Sequence, residues 1–177
     1  MTEKLTTLVT TMKPLRRSSD VTEAWLSTCD HPYIAQATDV MDAIRDRWIA
    51  SNGRKWIHLD GANMQNLDSY YSTLTRAFKL PDYFGKNLNA LNECLTDYDV
   101  LSSSGIVIYI ENPSLILGMS APEASDGLLD TFADVAFELS QAVSLGHPWD
   151  RPAIPFHVLI APDCKNPRFK RFPLMPF

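Results

Sequence analysis

Apolar positions recur along the chain with two periods, and the switch between them organises the sequence. In the first part the period is helical. Val40, Ile44 and Trp48 stand at i, i+4 and i+8 with Gly53 just beyond, which predicts a helix from Asp39 to Ala50. Upstream, Asp20 followed by Glu23 resembles a capping box and predicts a short helix from Val21 to about Cys29, broken by His31 and Pro32. "TTLVTTM" (6–12) has the composition of a strand and is ended by Pro14. From residue 54 the pattern becomes extended, with "KWIHLD" (55–60) as a strand closed by Gly61. A helix follows in "NLDSYYSTLTRAF" (66–78), its stripe formed by Leu67, Tyr71, Leu74 and Phe78. "GIVIYIE" (105–111) is nearly continuous apolar sequence, the mark of a central strand covered on both faces. The longest helix is predicted over residues 126–145, burying Leu128, Phe132, Val135, Leu139 and Val143. "IPFHVLIAP" (154–162) closes the series as another buried strand. Strands separated by helices imply parallel pairing through right-handed crossovers, so the fold class is α/β with a small parallel sheet.

One segment does not fit that economy. "LPDYFGKNLNALNECLTDYD" (80–99) opens on a turn fixed by Pro81, with Gly85 as the residue free to take positive φ, and Asn87 as the N-cap of a short helix. Leu88, Leu91 and Leu95 point inward. Asn89, Asn92, Glu93 and Thr96 share the opposite face, flanked by Tyr83, Phe84 and Tyr98. Asparagine is a poor helix former, so three in this short stretch point to hydrogen bonding, either local or with a partner. A second polar feature lies on the long helix, where Asp130, Asp134 and Glu138 recur at i, i+4 and i+8 with no basic residue between them. Like charges so placed cost a helix about 0.2–0.5 kcal/mol per pair. They suit a partner lined with arginine and lysine.

Composition narrows the classes. The 177 residues, 45% hydrophobic and 21% charged, fit one soluble, well-buried domain. The net charge of −5 argues against a general nucleic-acid binder and mildly favours a basic partner. Cys29, Cys94 and Cys164 lie far apart, with neither disulfide nor zinc spacing, as in a reducing compartment. The first twenty residues read neither as a signal peptide nor as a membrane span, so the expected location is the cytoplasm. "FGKN" lacks the glycine spacing of a nucleotide loop, and no cofactor or metal is implied. Two catalytic arrangements were weighed: Cys94 with His58 or His157 as a thiol–imidazole pair, and Glu93 with Asp134 as an acid–base pair.

The stretch from "RKWIHLDG" through "LDSYYSTLTRAFKLPDYFGKNLNALNECLT" resembles the barstar family of intracellular ribonuclease inhibitors. Its core pattern is L-P-x-Y-[FY]-G-x-N-L-x-A-L-x-[DE]-C-L-T. "GIVIYIE", "LLDTFADVAFE" and "PFHVLI" are similar to the family's second strand, last helix and last strand. The resemblance implies a three-stranded parallel sheet packed with helices over residues 54–165. Residues 1–53 then form a mostly helical N-terminal extension and residues 166–177 a basic, aromatic tail. It also implies action by blocking rather than by catalysis, against a basic secreted ribonuclease like barnase or another toxin. Carried over by motif, Tyr83, Gly85, Asn87 and Leu88 hold the turn-side contacts, Glu93 takes the place of the principal aspartate, and Thr96 and Tyr98 match later contacts. Asp134 matches a second acidic contact. The family has an acid, a tryptophan and a glutamate where this chain has Asn89, Asn92 and Lys86, which implies a differently charged cognate enzyme.

Overall fold

A computed structural model describes residues 18–38, 41–97, 103–118, 122–148, 150–162 and 167–176. The strand expected at 6–12 and the contact expected at Tyr98 lie outside the described residues. Helix α1 (Ser18–Leu26) and strand β1 (Ile34–Gln36) lead into α2 (Met41–Ala50) and β2 (Arg54–Asp60). Then come α3 (Leu67–Phe78), α4 (Leu88–Thr96), β3 (Gly105–Glu111), α5 (Pro122–Leu139) and β4 (Phe156–Ile160).

The sheet is parallel and has four strands in the order β1-β4-β3-β2, where three were expected. The additional strand comes from the N-terminal region. Ile34 pairs with Val158 and Gln36 with Ile160, so β1 covers the edge of β4 that a three-stranded sheet would leave bare. β3 is central, as its continuous apolar run requires. Ile106, Ile108 and Ile110 join the core under α3, α4 and α5. Val107 faces the second core with Leu159, Trp48 and Trp25, under α1 and α2. The steps from β2 to β3 to β4 carry their helices on one face. The return step from β1 to β2 carries α2 on the other, and reversing direction and face together preserves the handedness of the crossovers.

Several local expectations are corrected by tertiary contacts. The first helix starts at Ser18, so Asp20 is not its cap; Asp20 and Glu23 instead meet Arg47 of α2 at 3.0 and 3.4 Å. On α3, Leu67 is exposed and the buried positions are Tyr70, Thr73, Leu74 and Phe78. α5 stops at Leu139 rather than running to 145, because Arg151 donates to the carbonyls of Glu138 and Gln141 at 3.1 and 2.8 Å. A cation placed there also answers the negative end of the helix dipole. Val143 leaves the helical stripe and pairs with Arg151 in an antiparallel bridge. The C-terminal tail folds back on the outer edge of β1. Gln36 N–H donates to Pro173 O at 2.7 Å, Met175 N–H donates to Gln36 O at 3.0 Å, and Met175 is fully buried.

Candidate functional site

The turn entering α4 is set by short-range chemistry. Phe84 N–H donates to the Pro81 carbonyl at 2.9 Å, and the Phe84 ring is buried edge-on to Tyr71. Tyr83, one residue earlier, is 78% exposed. The left-handed backbone falls on Lys86 (φ 48), not on Gly85 as expected. Gly85 matters for space instead: a Cβ there would stand 3.1 Å from Asn87 Nδ2, the amide that donates to Gly85's own carbonyl. Asn87 is the N-cap, its Oδ1 accepting from Ala90 N–H at 2.8 Å, which ties down the first turn of the helix.

α4 then sorts its side chains by depth. Leu91, Cys94 and Leu95 are buried, and Leu88 is half-buried against α5. The helices approach closely at Gly127, where a Cβ would lie 3.0 Å from Leu88 Cδ1. Asn89 and Glu93 are exposed, whereas Asn92 and Thr96 are half-buried. The Thr96 hydroxyl donates to the Asn92 carbonyl at 3.0 Å, so it is committed within its own helix. Asn92 looks across to α5 and lines a shallow depression with Asp134, Phe137, Glu138 and Arg151. The structure therefore joins one expected contact on α4 to the expected acid on α5, with Glu93 exposed one residue along α4 from Asn92.

Acids outnumber bases on this face, with Asp134 and Glu138 beside the single cation Arg151 in the depression. Asp130, Asp134 and Glu138 are exposed, and among the described residues none of them, nor Glu93, has an ion-pair partner. Arg151 lies beside them but spends its guanidinium on the carbonyls closing α5. Two members of the face were not anticipated. Phe137 is 60% exposed, and its signal was present in the sequence as an aromatic out of phase with the stripe Leu128, Phe132, Val135 and Leu139. Arg151 gave no such signal, because its role depends on a loop returning to a helix end.

The thiol–imidazole arrangement is not formed. Cys94 belongs to the core under α3, α4 and α5, and burial, then Asp97 and Glu93, push its thiol pKa up, away from a reactive thiolate. His157 is on the opposite face of the sheet against Trp25, its Nε2 hydrogen-bonded to Thr28 O at 2.9 Å. His58 lies over α2, 2.9 Å from Glu111. The sheet separates both histidines from the cysteine. No group of three or more His, Cys, Asp or Glu among the described residues is placed to hold a metal ion. No helix among them is long and apolar enough to cross a membrane.

The fold is a parallel α/β sheet with a capped, asparagine-rich helix laid against an acidic one. The profile of the family described as Barstar (barnase inhibitor) matches residues 54–161, well over half of the chain. The chain belongs to the barstar family. It is similar to a Bacillus subtilis (strain 168) protein named "Putative ribonuclease inhibitor YrdF", 30% identical over 83 residues that span 47% of this chain and 87% of that protein. Proteins of this family are inhibitors rather than enzymes.

Proposed function

We propose that this chain is a cytoplasmic immunity protein that binds a barnase-like ribonuclease toxin and blocks its active site with the polar face of α4. Glu93 is the central contact, Asp134 the second acid, and Tyr83, Gly85, Asn87, Leu88, Asn89, Asn92, Thr96 and Tyr98 complete the surface. Residues 54–165 form the inhibitory unit in this reading, with residues 1–53 and 166–177 as its cover. The observation that carries it is that Glu93 on α4 and Asp130, Asp134 and Glu138 on α5 are exposed, without ion-pair partners among the described residues, on two packed helices rather than on a loop. A ribonuclease active site concentrates basic groups to bind phosphate and stabilise its transition state. Carboxylates already fixed on helices meet such groups with little ordering cost. The family and the name of the Bacillus subtilis relative support the same partner class.

The test is capture from the producing cell's lysate and medium with wild-type chain and a Glu93→Ala, Asp134→Ala variant, followed by assay of captured ribonuclease. A basic ribonuclease held and inhibited by the wild type and lost with the variant is the expected result. Equal capture by both baits overturns the assignment of the face. A second reading keeps the blocking role and changes the target to a non-ribonuclease toxin. It is favoured by Lys86, Asn89 and Asn92, which leave this face less acidic than the family pattern.

A further inference from the structure

We propose that Phe137 is an anchor of this face, built to receive an arginine side chain from a basic protein partner. The ring takes the guanidinium plane while Asp134 and Glu138 take its N–H groups. This rests on the proposed inhibitory role and adds a residue on α5 to it.

Phe137 lies near the end of a helix whose other large side chains, Leu128, Phe132 and Leu139, are fully buried, yet it is 60% exposed. Its surroundings are not those of a stray surface aromatic. It shares one depression with Asn92, Asp134, Glu138 and Arg151. Asp134 is its i−3 neighbour, so the two side chains are adjacent on the helix surface. Neither Asp134 nor Glu138 has an ion-pair partner among the described residues. The nearby Arg151 keeps its charge but makes no ion pair with either carboxylate among the described residues, its Nη groups being donated to the carbonyls of Glu138, Leu139 and Gln141. The site thus offers an aromatic ring beside two carboxylates that have no ion-pair partner among the described residues and outnumber the one cation near them.

Arginine fits that combination better than lysine. Its flat, weakly hydrated guanidinium stacks on a ring and still presents several N–H donors at its edge. A compact ammonium gains little from the ring while keeping its water, and an acidic or purely apolar partner is opposed by the carboxylates. Exposed aromatic surface in a charged rim is also the composition from which binding hot spots are made.

Two measurements test this. In the first, wild type, Glu93→Ala and Phe137→Ala are compared for binding to barnase and to any ribonuclease the wild type captures, with thermal melts as a check on folding. Phe137 is exposed, so its variant folds normally. A loss of at least about tenfold with Phe137→Ala, alongside a loss with Glu93→Ala, is expected. Loss with Glu93→Ala and less than about twofold change with Phe137→Ala upholds the inhibitor and overturns this inference. Where the wild type binds no ribonuclease, the inhibitory role fails and the second measurement decides. Ring signals of Phe137 are followed by NMR during titration with N-acetyl-arginine amide, with the lysine and glutamate amides as controls. Saturable shifts that are largest with arginine support the anchor. Equal shifts with all three probes, or none, overturn it, as does concentration-dependent self-association abolished by Phe137→Ala.

Discussion

Glu93 and Asn87 sit six residues apart in the same motif, yet their chemistry separates them. Glu93 is exposed and makes no ion pair among the described residues, so its charge is free for a partner; Asn87 spends its side chain on Ala90 N–H and on Gly85 O. Glu93→Ala is expected to weaken ribonuclease binding by about 2 kcal/mol or more and leave the denaturation midpoint unchanged. Asn87→Ala is expected to lower folding stability by about 1 kcal/mol through the lost cap, measured by urea denaturation. His157 offers a third test. Its burial lowers the pKa below the ordinary 6.5, against the smaller pull of the Thr28 carbonyl. Between 6.5 and the depressed folded value, the unfolded chain binds the extra proton, so stability rises with pH through that window and is lost as pH falls below 6.5. Replacement by neutral Gln is expected to flatten this dependence in denaturation curves taken on either side of about pH 6.5.

The helices and strands were readable from the sequence where their causes are local. The N-cap at Asn87 was visible because a cap and its target lie three residues apart. β3 was visible because both of its faces are buried, leaving no polar alternation to blur it. The end of α5 was not, since Arg151 reaches it from twelve residues beyond Leu139. Lys86 was missed because a left-handed lysine contradicts the usual preference for glycine. The site divided in the same way. Glu93 and Asp134 are proposed from motif and spacing, whereas Phe137 shows in the sequence only as an aromatic out of phase with its stripe, and its place beside Asn92 of α4 needs the packing of the two helices. Packing between α2 and the sheet gives another measurable consequence. Trp48 is fully buried, donates through Nε1–H to Lys55 O at 3.0 Å and lies under the Arg54 guanidinium at 4.2 Å. A Cβ on Gly105 would stand 2.9 Å from that immobilised ring. Gly105→Ala is therefore expected to destabilise the fold by about 1–3 kcal/mol, with Trp fluorescence as a convenient probe of unfolding.

Across the molecule, the family-matched segment 54–161 does not include its neighbours on one side of the sheet. β1 lies before it and the tail after it, and the two meet through Gln36, Pro173 and Met175. A three-residue strand between helices carries too little pattern to be read from sequence alone, which is why the fourth strand was not foreseen. Removing residues 167–177 takes away buried Phe169 and Met175 together with the hydrogen bonds along β1. The truncated chain is expected to unfold at a clearly lower temperature, by calorimetry, with a cost of at least about 2 kcal/mol from the buried side chains. The strand order also has a consequence for synthesis. β1 leaves the ribosome first among the described strands but pairs with β4, which leaves last among them, and it receives its outer cover from residues 173–175. Translation must therefore pass β4 before the sheet can close, and pass Met175 before β1 is covered. A chain released before β4 keeps an unpaired border on β3, which proteases and chaperones can tell from the folded sheet.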